Sequence, residues 1–274
     1  MIKFLIRINE YLIRILYSWN NLGLISTLKI FFFIKKKVNY IKSKKFPNNI
    51  YFRKSGDYGA LTHLFSLSYK INDKNSKNKI EYIIDLGANI GIETIKFKFF
   101  FPNSKIIAVE PEESNFEILK KNTKNYNDIH LENYAISNKQ TEMYLKNKNK
   151  NKNISQNYNE SFFVTNEKTT NKIKTISIPY LIKKYNLKRI NILKSDIEGY
   201  ERYVFDDSSC EWLNKVDCII FECPDNDHMS QGTTQNIFDN IQKSNLRFIS
   251  HICGENIILI NESCSLKLEK IRCF

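Results

Sequence analysis

The sequence predicts an α/β fold: a mostly parallel open sheet closed by an antiparallel hairpin, with helices before it and a small antiparallel insertion within it. Three observations predict this. Residues 82–91, Tyr-Ile-Ile-Asp-Leu-Gly-Ala-Asn-Ile-Gly, read as a buried strand running into a glycine-hinged loop and then a helix. Strand and helix periodicities then alternate as far as residue 136, and short loops between them imply parallel neighbours with right-handed crossovers. Finally, 274 residues with 42% hydrophobic content suffice for one large core plus an appendage and exclude a disordered chain.

The chain is basic, with 42 lysines and arginines against 29 acidic residues and a formal charge of +13. Such an excess suits nucleic acid, an anionic membrane or an acidic substrate. Many of the lysines stand in Lys/Asn-rich runs such as residues 146–153, which favours a compositional bias over a nucleic-acid footprint. The six cysteines, Cys210, Cys218, Cys223, Cys253, Cys264 and Cys273, contain no C-x-x-C pair and no zinc-site spacing. They read as reduced, mostly buried thiols, the expectation for a cytoplasmic protein.

In chain order, residues 1–48 form the first expected unit, a helical segment. Lys3, Arg7, Glu10, Arg14, Ser18 and Asn21 recur every three or four positions on an aliphatic and aromatic background, which marks a helix with a narrow polar stripe. The uncharged run 15–28 is too short to span a bilayer, and Glu10 and Arg14 fall where a signal peptide would be apolar. These helices are expected to pack on the domain or on a second copy in a homodimer. The alternative is peripheral membrane contact, with Lys35, Lys36 and Lys37 facing anionic lipid. Pro47 marks the break, and residues 49–274 form the main domain.

Residues 51–60 read as a polar loop leading into a short helix, with Arg53 and Asp57 either lining a site or pairing with each other; residues 73–79 read as a solvated linker. Strand 80–84, the glycine loop, a helix from Ile92 ending at Pro102 and strand 105–109 follow. The loop spacing D-x-G-x-N-x-G lacks the third glycine of a dinucleotide fingerprint, since Ile92 stands in its place. Glu110 ends the second strand at the carboxyl edge beside that loop, where a carboxylate can accept both hydroxyl protons of a ribose. A helix from Pro111 and Ser114 to Asn122 and a strand with its exit over 129–136 come next, His130 being read as a sheet-face residue. Short segments at 142–145, 162–165 and 173–178, separated by the Lys/Asn tract, read as an antiparallel insertion near 140–178 with a mobile loop.

A helix over 179–185 and a fourth strand over 190–193 then deliver Lys194-Ser195-Asp196-Ile197-Glu198-Gly199-Tyr200-Glu201 to the same edge. Three carboxylates at that place can accept a substrate proton, hold a divalent cation or hydrogen-bond a cofactor, and they can also cap a helix. A fifth strand over 216–221 ends in Glu222, and Asp225, Asp227 and His228 beyond it read as a solvated loop and not a metal cluster. Helix 233–243 and a hairpin of 246–252 with 256–260 close the domain.

The loop from Asp85 to Gly91, Glu110-Pro111 with Asn115 and Asn122, the exit Asn133-Tyr134-Ala135-Ile136-Ser137 and the run 194–201 resemble, in order and interval, the FkbM family of S-adenosylmethionine-dependent methyltransferases. The resemblance covers residues 52–222. It implies a class I, Rossmann-like methyltransferase sheet of seven strands, S-adenosyl-L-methionine as cofactor, and O-methylation of a hydroxyl, with sugars and polyketide-type molecules as acceptor classes. It further implies cofactor binding by Asp85, Gly87, Asn89, Gly91, Glu110, Asn133 and Ala135, with the ribose on Glu110 and the adenine near the Asn133 exit. Asp196 is the expected acceptor of the hydroxyl proton, with Glu198 second. A divalent metal is compatible with the carboxylates but is not part of the expected cofactor set. The chain differs from the family's usual pattern at Ile178-Pro179-Tyr180-Leu181, which lacks an aspartate, and at Cys223-Pro224, near which a histidine is common.

The expected partner is therefore a small-molecule or glycan acceptor and not a nucleic acid. No Asn-Pro-Pro-Tyr type motif and no basic stripe interleaved with aromatics stand out. The competing classes are an RNA or other nucleic-acid methyltransferase, a nicotinamide-dependent oxidoreductase and a non-catalytic binding protein on the same fold.

Overall fold

The structure, a computed structural model, describes residues 19, 40–42, 46–53, 57, 60, 61, 70–73, 80–147, 162–165, 167–222, 225, 231–253 and 256–269. A seven-stranded sheet forms its centre, made of β1 (Tyr82–Leu86), β2 (Lys105–Val109), β3 (Ile129–Glu132), β4 (Ile190–Ser195), β5 (Val216–Glu222), β6 (Phe248–Cys253) and β7 (Asn256–Asn261). The order across the sheet is β3-β2-β1-β4-β5-β7-β6. Neighbours among β1 to β5 are parallel, whereas β7 is antiparallel to both β5 and β6. The chain thus runs outward from β1 to β3, returns to β4 on the other flank, and closes with the expected hairpin.

Parallel strands are covered on both faces, so they read as continuous apolar runs whose successive side chains point to opposite sides. Ile84, Ile107, Leu193 and Ile219 share one core with Leu181 of α3 (Ile178–Lys184), Trp212 of α5 (Cys210–Leu213) and Ile237 of α6 (Thr233–Lys243). Ile83, Ile106, Ile192 and Ile220 face the other side, together with Phe97 of α1 (Ile92–Phe100). Helix α2 (Glu113–Thr123) connects β2 to β3, and the single turn α4 (Glu201–Val204) follows β4.

The insertion is a four-stranded sheet in the order Ala135–Ile136, Lys172–Ile176, Glu142–Asn147, Phe162–Thr165. It is not wholly antiparallel. The chain reverses once before Glu142 and once after Asn147, so Lys172–Ile176 runs in the same sense as Ala135–Ile136 and pairs with it in parallel. Ile178 opens α3 and does not end the strand, because the Ser177 hydroxyl accepts the Tyr180 amide at 3.3 Å and Pro179 stands in the first turn. Lys146 and Asn147 of the Lys/Asn tract end the strand Glu142–Asn147, and the rest of the tract, where the mobile loop was expected, lies outside the described residues.

The expected helices of residues 1–48 also lie almost wholly outside them. Tyr40–Ile41 pairs with Ile50–Tyr51 across the boundary expected at residue 48. Ile41, Ile50, Phe52 and Leu61 then pack on Ile92 and Ile95 of α1. A second unexpected pair joins Lys70–Asp73 to Leu266–Glu269. His130 packs its ring at 5.0 Å from that of Tyr185. Cys210, Cys218, Cys253 and Cys264 are free thiols. Among the described residues no helix is long and apolar enough to cross a membrane.

Candidate active site at the carboxyl edge of the sheet

The strand order reverses at β1, so the crevice beyond the carboxyl ends of β1, β2 and β4 is where an open sheet of this kind presents a ligand. Backbone stitches these ends together. The amides of Gly87 and Ala88 both donate to the Val109 carbonyl at 2.9 Å, and the Asp196 amide donates to the Leu86 carbonyl at 3.0 Å. The loop after β1 turns through left-handed residues at Gly87, Asn89 and Gly91, with φ of 75°, 49° and 87°. Gly87 is required by space as well as by φ, since a Cβ there would lie 1.9 Å from the Asp196 carbonyl oxygen.

Glu110 is not a solvated strand end; it is 5% exposed. Its Oε2 accepts the Asn89 amide at 2.8 Å, and its Oε1 accepts the Glu112 amide at 2.9 Å and the Asn115 side-chain amide at 3.1 Å. Burial pushes its carboxyl up to about 7, with the donors from Glu112, Asn115 and Asn89 pulling the other way. Gly87, Asn89, Glu110 and Asp196 face a cleft of about 620 Å³, counting space open to solvent. Tyr134, Ala135 and Ile136 form one wall, and the insertion adds Val164.

After β4, Lys194 is buried, with Nζ 3.2 Å from Asp196 Oδ2 and 3.9 Å from Asp85 Oδ1. Burial alone would depress its ammonium, but the carboxylates of Asp196, Asp85 and Glu93 outweigh that and hold it above the usual lysine range. Asp196 and Glu198 both line the cleft, the latter with φ 60° ahead of Gly199 at 88°. Glu201 does not line it. It is 2% exposed, and its Oε1 accepts the Ile197 amide at 2.9 Å and the Ser195 hydroxyl at 3.4 Å, which ties down the turn that carries Asp196 and Glu198. Burial pushes the Glu201 carboxyl up to about 7. Helix α4 has Tyr200 at its N-cap with no side-chain cap, so Asp196 does not serve as one.

The sequence pattern of the methyltransferase FkbM domain matches residues 85–245, more than half of the chain. The chain belongs to the FkbM family. It therefore contains an S-adenosylmethionine-dependent methyltransferase domain. A curated relative, "Methyltransferase 1" of Beauveria bassiana (strain ARSEF 2860), is 28% identical over 163 residues, which is 53% of this chain. The match spans 65% of that relative's length. Among solved structures, ribosomal protein L11 methylase from Lactobacillus delbrueckii subsp. bulgaricus is 10% identical with a TM-score of 0.37, covering 72% of this chain and 74% of its own. Aeropyrum pernix fibrillarin with natively bound S-adenosyl-L-methionine is 8% identical with a TM-score of 0.38, covering 67% of each chain. Neither likeness bears on what this chain acts on.

Of the residues expected at the FkbM cofactor site, Gly87, Asn89, Glu110 and Ala135 line the cleft, and three do not. Asp85 lies fully buried beneath it, where Oδ2 accepts the Thr94 hydroxyl at 2.6 Å. Burial raises its carboxyl, with the Lys194 ammonium acting against that. Gly91 starts α1, packed so closely on Leu119 that an added Cβ would be 2.6 Å from Cδ1. Asn133 donates its side-chain amide to the carbonyls of Glu110 at 3.0 Å and Pro111 at 3.3 Å, so it shapes the strand exit and does not reach into the cleft.

The residues present fit S-adenosylmethionine. A carboxylate offers about four acceptor sites, and Glu110 uses three on the protein, which leaves one on Oε2 for a single ribose hydroxyl and not the two expected. The Tyr134 to Ile136 wall suits a base, and Asp196 and Glu198 suit a cationic ligand. Among the described residues no group of three His, Cys, Asp or Glu could hold a metal ion. Asp225 instead accepts the Thr233 and Thr234 amides at 2.9 and 3.1 Å at the start of α6, while Asp227 and His228 lie outside the described residues. Val164 carried no sequence signal for the site, because its place there depends on pairing between strands far apart in the chain.

Proposed function

We propose that this FkbM domain transfers a methyl group to a hydroxyl of a sugar, a surface glycan or another small metabolite. The observation behind the reading is the charge of the cleft. Among the described residues that line it, the ionisable side chains are Glu110, Asp196, Glu198 and the phenol Tyr134, with no lysine or arginine. A phosphate backbone drawn to the +13 chain would meet the like charge of Glu198 and of Asp196, the latter offset in part by Lys194 behind it. A neutral polyol would meet hydrogen-bond acceptors instead.

S-adenosylmethionine, when bound, supplies an electrophilic methyl group. Glu110 and the loop of Gly87 and Asn89 would hold its ribose and amino-acid ends, and Tyr134, Ala135 and Ile136 its base. In this reading Asp196 accepts the acceptor's hydroxyl proton, which orients the oxygen and raises its nucleophilicity as the proton moves to the carboxylate. Lys194 keeps that carboxylate fixed from behind, 3.2 Å away. Glu198 lines the same side as the second candidate.

The reading is tested by incubating the protein with methyl-labelled S-adenosylmethionine and separated neutral glycans, small metabolites and RNA. Label recovered as a nuclease-resistant methyl ether is expected. Label that nuclease releases, or label on nitrogen, would replace this reading with the nucleic-acid or N-methyl alternative.

A further inference from the structure

We propose that Arg53 is a positioning residue that sets Glu110 for the cofactor's ribose by acting through Asn115; the inference rests on the cofactor reading above. Arg53 precedes β1 by nearly thirty residues and does not line the cleft. Its guanidinium nevertheless reaches α2. Nη2 donates to Asn115 Oδ1 at 2.5 Å and to Asp57 Oδ1 at 2.7 Å, Nη1 donates to Ser114 Oγ at 2.5 Å, and Nε donates to Asp57 Oδ2 at 3.1 Å. Asp57 is 2% exposed and also accepts the Arg53 backbone amide at 2.6 Å, so the cation is fixed from its own segment.

The two ends of an asparagine amide are interchangeable in shape and opposite in hydrogen-bonding sense. With a cation on Oδ1, Asn115 must present Nδ2 to Glu110 Oε1, where it donates at 3.1 Å. Without that cation the amide is free to turn, and its oxygen would then face a carboxylate. A second tie supports the first. Asn122, two turns along α2 on the same face, accepts the Tyr51 amide at 2.6 Å and donates to the carbonyls of Tyr51 at 3.0 Å and Ile90 at 2.7 Å. The segment before β1 is thus fastened to α2 at two points, one leading to the glycine loop and one to Glu110. A planar five-donor guanidinium can make these bonds together, whereas a lysine ammonium cannot.

The test is calorimetric titration of S-adenosylhomocysteine into the full chain as wild type, Arg53→Met, Asn115→Leu and the double variant, between about pH 6 and pH 8. Arg53→Met is expected to weaken binding about tenfold, and the double variant to bind no more weakly than Asn115→Leu alone. The pH midpoint of affinity should also move upward in Arg53→Met, because the Glu110 carboxylate loses a donor. Glu112, whose carboxylate lies 4.0 Å from Arg53 and also raises the Glu110 pKa, is kept in every protein. A merely structural role would lower the melting temperature and leave that midpoint in place. Unchanged affinity, an unmoved midpoint or fully additive losses would overturn the proposal. Should Arg53→Met fail to fold, Arg53→Lys is expected to show a smaller loss with the same upward shift, and wild-type behaviour there would overturn it equally. Absence of binding by the wild type would sink the cofactor reading itself, and the proposal with it.

Discussion

Replacing Glu110 by glutamine should flatten the pH dependence of cofactor binding. Glu110 ionises at about 7 because burial outweighs its three donors, and a ribose hydroxyl donates best to the charged form. Roughly a tenth of the protein then carries the carboxylate at pH 6 and roughly nine tenths at pH 8, so affinity should rise about tenfold across that window and level off above it. Folding is affected with the opposite sense of pH. The unfolded chain loses this proton near 4.5 and the folded chain near 7, so the stabilisation present below 4.5 is lost as pH rises to about 7. That loss is on the order of 3 kcal/mol. Glutamine removes both effects and leaves the Asn89 and Glu112 amides facing a neutral side chain, which should weaken binding at pH 8 by about 10–100-fold. Isothermal titration with S-adenosylhomocysteine at several pH values measures this, and comparing the two proteins cancels the ligand's own titration. A wild-type slope that survives unchanged in Glu110→Gln would refute the reasoning.

Asp196→Asn should lower turnover by about 10²–10⁴-fold on a verified acceptor while cofactor affinity changes less, as read from single-turnover rates and binding isotherms. Gly87→Ala should destabilise by more than about 4 kcal/mol in urea unfolding, since its Cβ would collide with the Asp196 carbonyl. Gly232→Ala, with a similar φ of 81° but nothing within 4 Å, should cost only about 1 kcal/mol. Glu201→Gln should raise the melting temperature at pH 8 by about 6–12 °C and leave it unchanged below pH 4.5, because the folded-state ionisation near 7 is then no longer required.

The parallel core was legible because its strands are short, apolar and bounded by glycine, proline and acidic residues, so that β1, β2, β4 and β5 fall within a few residues of their expected places. Glu110 and Asp196 were legible for a related reason: each follows a buried strand, and parallel strands deliver their carboxyl ends to one edge. What the sequence hid depends on contacts between distant segments. The pairing of Lys70–Asp73 with Leu266–Glu269 has no local signature, and neither does the parallel contact that starts the insertion. The family resemblance implied that Asn133 touches the cofactor, yet its amide is engaged by the carbonyls of Glu110 and Pro111. Arg53 and Asp57 had two equal readings until the structure showed them paired and joined to Asn115.

The most direct test of the account is a crystal structure of the chain grown with S-adenosylhomocysteine. The account predicts the ligand in the crevice beyond β1, β2 and β4, its ribose on Glu110, its base against Tyr134 to Ile136 and its sulfur on the side of Asp196. Ligand bound elsewhere, or in that crevice with its ribose turned away from Glu110, would contradict it.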